Sequence, residues 1–157
     1  MIETSNPFNI RYNKRNKWLG QIGNVRGFAQ FADWSYGCRA AMMLLRNYIR
    51  NGYDTPRKII YRFAPPNDGN DTERYLDFVC RPWDNLVDNY RDTPIASKEE
   101  LYDLMTRMAK METSSLITLE QFQRFEKRFG LNMRFKPYVQ QKLNFKDYDK
   151  KDKETLG

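Results

Sequence analysis

The sequence contains no histidine, only two cysteines and, over its first 72 residues, a single glutamate. The missing histidine excludes a Ser-His-Asp or Cys-His nucleophile, a histidine base and any zinc site that uses imidazole. Acid–base chemistry therefore falls to Asp, Glu, Lys, Tyr or Cys. Cys38 and Cys80 are too few for a framework of bridges, and each falls in an apolar run that packs it as a small hydrophobe. No stretch approaches ~18 consecutive apolar residues, so no membrane span is expected. The opening residues, MIETSNPFNIRYNKRNKW, hold no apolar run, so no signal peptide is expected. Phosphate loops, dinucleotide fingerprints, CxxC spacings and Asp-rich calcium loops are also missing, so neither a cofactor nor a metal is expected.

What is there is a basic, aromatic-rich chain of 157 residues with a formal net charge of +7. That length suits one domain. The charge is unevenly placed. Residues 1–62 hold 11 basic and 3 acidic side chains, whereas 63–157 hold 16 and 17, so the basic excess lies wholly in the first part. A polyanion contact belongs there if there is one, and a solvated basic face is the alternative. The mixed-sign run 146–157 lacks apolar periodicity and reads as a charged, disordered tail after a single domain over 1–145.

Along the chain, residues 18–31 (WLGQIGNVRGFAQF) combine three glycines and a Gly23-Asn24 turn signal with aromatic and β-branched residues, which predicts a short hairpin or irregular β-like loop. Ser35, with help from Asp33, caps a helix through 36–50 that ends at Gly52. Its buried stripe is Cys38, Ala41, Met42, Leu45, Tyr48 and Ile49, with Arg39, Arg46 and Arg50 on the other side. Thr55-Pro56 opens a helix with Ile59, Ile60 and Phe63 inward, stopped by Pro65-Pro66. Thr72 caps another, followed by a connecting loop over 81–96 with Trp83 as an anchor. Two capping boxes, Ser97 with Glu100 and Thr118 with Gln121, start the last two helices. The expected fold class is mainly α (α+β), with a small β-hairpin or loop near the start.

Carboxylate chemistry is what remains open to such a chain, and glycoside cleavage is its commonest form. Among the early acids, Asp54, Asp68 and Asp71 sit in turns and Asp33 has a capping role available. Glu3 has no local structural explanation. Trp18, Phe28 and Tyr36 can stack on sugar rings or pack in a core. Asn6 and Asn9 can hold a turn, Arg11 can bind an anion or an acid, and Arg62 with Asn70 and Thr72 can fix two helices together.

Taken in order, NPFNIR (6–11), Trp18 with Gly20, GFAQF (27–31), YGCRAAMMLLRNYIRNG (36–52), Thr55, KIIYRFAPP (58–66) and NDTERYLDFV (70–79) form a pattern. It resembles a family of phage and prophage proteins described as virion structural proteins and related in fold to lysozyme-like or glucosaminidase-like domains. The resemblance covers the first half of the chain. It implies a lysozyme-like helical domain and a peptidoglycan-directed protein that binds and cleaves the wall glycan as a hydrolase or lytic transglycosylase. The alternative it implies is a non-enzymatic virion or assembly component that keeps the fold. The candidate catalytic residues are then Glu3 and Asp33. The candidate substrate-binding residues are Asn6, Asn9, Arg11, Trp18, Phe28, Tyr36 and Arg62. The implied partners are peptidoglycan or another anionic wall polymer and other virion proteins. The implied location is the virion, or the exterior after lysis, following synthesis in the cytoplasm. A nucleic-acid partner has only charge and aromatics in its favour and lacks a recognition motif.

Overall fold

A computed structural model describes residues 3–135, and the tail expected over 146–157 lies outside them. The described residues hold a two-stranded antiparallel hairpin, β1 (Gln21–Val25) and β2 (Phe28–Phe31), followed by five α-helices. These are α1 (Trp34–Arg50), α2 (Pro56–Phe63), α3 (Thr72–Cys80), α4 (Lys98–Thr113) and α5 (Leu119–Phe129). The mainly α class with a small hairpin is therefore the one that the patterning predicts. Each helix packs on the next, and α5 closes back onto α1, which also meets β2.

The hairpin forms where expected, but it turns at Arg26-Gly27 rather than at Gly23-Asn24. Val25 pairs with Phe28, and both turn residues have positive φ (52° and 92°). A two-residue turn of that kind matches the right-handed twist of its strands and favours glycine. Asn24 accepts a hydrogen bond from the Gly27 N–H at 2.9 Å, so it supports the turn from outside. Gly23 marks an irregularity of register between Gln21 and Gly23 instead.

The caps shift by one or two residues. Asp33, not Ser35, caps α1, accepting from the Ser35 N–H and hydroxyl. Asp71, not Thr72, caps α3. A carboxylate accepts from a helix N-terminus with the added favour of the macrodipole, so it displaces a neighbouring hydroxyl. Thr72 bonds the Ala64 carbonyl at 2.6 Å instead, and Asn70 the Pro65 carbonyl at 3.0 Å. Those two bonds tie the start of α3 to the end of α2. Thr118 and Gln121 form the reciprocal capping box of α5. Ser97 caps α4, but the Glu100 carboxylate takes the N–H of Ala96.

The core runs through Met42, Met43 and Leu45 of α1, Ile59 and Ile60 of α2, and Phe122 of α5. All are fully buried, each contributing about 1.5–3 kcal/mol by its removal from water. Arg39, Arg46 and Arg50, expected on the solvent side of α1, are buried instead. The cause is the chain after α5, which lays its carbonyls over that face. Arg46 donates to the Asn132 carbonyl at 3.1 Å, and Arg50 to the Arg134 carbonyl at 2.8 Å and that of Asn132 at 3.0 Å. Arg39 lies over the Phe129 ring, 5.7 Å from its centroid. Trp83 packs half-buried beside Tyr90, with ring centroids 5.6 Å apart. Both cysteines are free and buried.

Candidate functional site: a cleft beside the hairpin

The N-terminal segment is held as an extra edge beside β2. Asn6 is fully buried. Its amide donates to the carbonyls of Ile10 (2.9 Å) and Ala29 (2.8 Å), and its carbonyl oxygen accepts the Ile10 N–H. Ala29 N–H reaches the Ile10 carbonyl and Tyr12 N–H that of Gly27, so 10–12 run along the hairpin. Asn9, at φ 51°, turns its amide onto α4, where it donates to both the backbone carbonyl and the carboxylate of Glu112, each at 3.1 Å.

This arrangement leaves a cleft of about 870 Å³ between the segment and the helices. Trp18, Phe28, Tyr48 and Phe63 supply its aromatic walls, and Asn9, Asn13, Asn16 and Asn70 its amides. Arg11 and Lys14 make it cationic, and Arg11 lies 5.6 Å from the centroid of the Phe28 ring. Glu112 is the single carboxyl among the lining residues. Burial raises the pKa of Glu112 above the usual carboxylate range, against the lowering pull of the nearby Tyr75 hydroxyl, the hydrogen bond from Asn9 and the charge of Arg11. The Tyr75 hydroxyl is itself buried and is raised by that burial and by Glu112, yet completes no hydrogen bond of ordinary geometry. Aromatic faces, neutral amides and a cation are the side chains that recognise sugar rings, their hydroxyls and their acidic substituents. A carboxyl that keeps its proton unusually well is also what a proton donor requires.

Of the nine residues singled out from the sequence, four converge here: Asn9, Arg11, Trp18 and Phe28. Trp18 is only 5% exposed, so it forms wall rather than platform. Asn6 lies beneath the cleft as a fastener. Tyr36 packs against Phe129 with Arg128 over its ring, and Arg62 lies over Tyr53 and Tyr48. Glu3 is exposed and pairs with Arg26 at 2.5 Å, while Asp33 is engaged as the α1 cap; neither lines the cleft.

Glu112, Asn13, Asn16 and Lys14 are not among the candidates that the sequence offers, and Tyr48, expected in the buried stripe of α1, is half-buried at the cleft wall. For Glu112 a signal exists: it lies in the last turn of α4, where the helix macrodipole disfavours an anion. An acid placed there is a misfit in helix terms and invites a tertiary explanation. Its contact with Asn9 spans 103 positions, which no local pattern encodes.

Among the described residues no cluster of potential metal ligands occurs, and no helix is long and apolar enough to cross a membrane. No family model matches this chain. It is 32% identical over 84 residues to Protein P5 of Pseudoalteromonas phage PM2, a stretch that covers 50% of this chain and 52% of that protein. The chain thus spans about half the length of the curated relative it matches. What the chain is similar to over that stretch is therefore a phage protein.

Proposed function

We propose that this protein is a phage-related virion component with a lysozyme-like domain, directed at peptidoglycan, which holds the wall glycan in the cleft beside its hairpin. The observation that carries the reading is the convergence of Arg11, Phe28 and four asparagines around one cleft. Glycan hydroxyls and N-acetyl groups pair with the amides, a sugar face lies on Phe28, and Arg11 and Lys14 meet the acidic groups of the wall. Co-sedimentation with purified peptidoglycan tests it. The wild type should pellet, and Arg11→Ala with Lys14→Ala should lose roughly tenfold in affinity, about 1.4 kcal/mol. Glu3→Gln should pellet as the wild type does. Pelleting unaffected by the cleft substitutions would exclude the cleft as the site.

Cleavage rests on Glu112. A hydrolase that retains or inverts configuration uses a second carboxyl, and the cleft lining offers none, so Glu112 suits only a reaction in which the sugar itself supplies the nucleophile. The two bonds from Asn9 support the other reading, in which Glu112 is a structural tie in a non-enzymatic virion protein. Release of soluble muropeptides by the wild type, abolished in Glu112→Gln and kept in Glu3→Gln and Asp33→Asn, identifies the enzyme. A wild type that pellets without releasing fragments identifies the binding protein.

A further inference from the structure

Opposite charges are sorted to two exposed places on this chain, and each carries exposed apolar side chains. Residues 11–26, which lead into and form most of the hairpin, hold five basic side chains and no acid. Leu19 and Ile22 stand exposed among them (50% and 63%). Lys14, Arg15 and Lys17 make no ion pair among the described residues. Residues 84–103, between α3 and α4 and into α4, hold six acids and two bases. Both bases are already engaged, Arg91 with Asp77 and Asp84, and Lys98 with Glu126. Asp92 and Asp103 pair with Arg57 and Arg107, which leaves Asp88, Glu99 and Glu100 as the acids of the segment outside any ion pair among the described residues. Trp83, just before this segment, joins Val87, Tyr90 and Pro94 around an apolar pocket of about 390 Å³ with Glu99, Glu100 and Asp103 at its rim. The Trp83 indole N–H is buried there without an acceptor, and Leu86 beside it is 76% exposed.

We propose that copies of this chain associate head to tail, the basic hairpin of one seating Leu19 and Ile22 on the acidic, apolar pocket of the next. A second copy is the occupant that the charges select, since the complement of each patch is carried by the same molecule. The two patches differ, so the contact is heterologous and propagates into a ring or a chain rather than closing as a two-fold dimer. Its ion pairs are exposed, so it weakens with salt.

Sedimentation of the full chain over a concentration series tests this. At low salt the weight-average mass of the wild type should climb beyond the monomer, and at about 500 mM salt it should fall back. Ile22→Asp, Val87→Arg and Glu99→Lys, all at exposed positions, should each remain monomeric while keeping the wild-type circular dichroism. An equimolar mixture of Ile22→Asp and Val87→Arg retains one good hairpin and one good pocket, and should stop at a one-to-one dimer. A wild type that is monomeric throughout, assembly that survives the substitutions, or a mixture that stays monomeric overturns the proposal.

Discussion

At the scale of single residues, the account turns on which acids are busy. Glu3 and Asp33, the candidate acids among the five carboxyls of the first 72 residues, each have a nearby partner, Arg26 and the α1 N-terminus. Glu112 is reached only by folding, when Asn9 crosses to α4. Its raised pKa has a consequence for stability. The folded chain holds this proton more tightly than the unfolded chain does, so between the ordinary carboxylate value and the raised one stability falls as pH rises. Glu112→Gln has no proton to lose there. Urea unfolding at successive pH values should therefore show the variant gaining on the wild type as pH rises through that interval, and a constant difference would contradict the burial. The thiols give a second check. Burial pushes the Cys80 thiol up to about 12 and Cys38 higher still, so neither forms thiolate near neutrality. A thiol reagent should leave the native protein unlabelled and should label both cysteines once it is unfolded.

At the scale of elements, periodicity and capping chemistry made the helices legible, because their cores and stops are local. The stripe of α1 and the Thr118–Gln121 box are examples. The opposite face of α1 was not legible, since its cover, the carbonyls of Asn132 and Arg134, arrives from more than 80 residues away. Amphipathic logic assigns arginines to water unless something later in the chain buries them. Arg46→Met should cost about 1.5 kcal/mol in unfolding free energy, the loss of one charged hydrogen bond to the Asn132 carbonyl, which Arg50 continues to serve. Gly37 supplies the companion test. A Cβ there would meet Pro7 Cδ and the Ser5 carbonyl oxygen, both at 2.9 Å, where the N-terminal segment crosses α1. Alanine ordinarily stabilises a helix interior by ~0.5–1 kcal/mol over glycine. Gly37→Ala should instead destabilise, by about 1–3 kcal/mol on thermal or urea unfolding.

At the scale of the whole molecule, the asymmetry of charge acquires a location. The basic excess of the first 62 residues is not all at the surface, because Arg39, Arg46 and Arg50 are buried in the core. Of the rest, Arg11, Lys14, Arg15, Lys17 and Arg26 gather on the hairpin and its lead-in, where Arg11 and Lys14 turn into the cleft, while Arg57, Lys58 and Arg62 stand on α2. The sequence located that basic half but could not say which of its side chains share a surface, since that depends on the edge pairing of 10–12 with β2. The central claim is that the cleft beside the hairpin is the face turned to the wall. It is tested most directly by titrating soluble peptidoglycan fragments into the isotope-labelled full chain and following amide and side-chain chemical shifts. The account predicts saturable changes at Asn9, Arg11, Phe28, Asn70 and Glu112, greatly reduced in Arg11→Ala. Fragments that leave those signals unmoved, or that move only signals remote from the cleft, would contradict it.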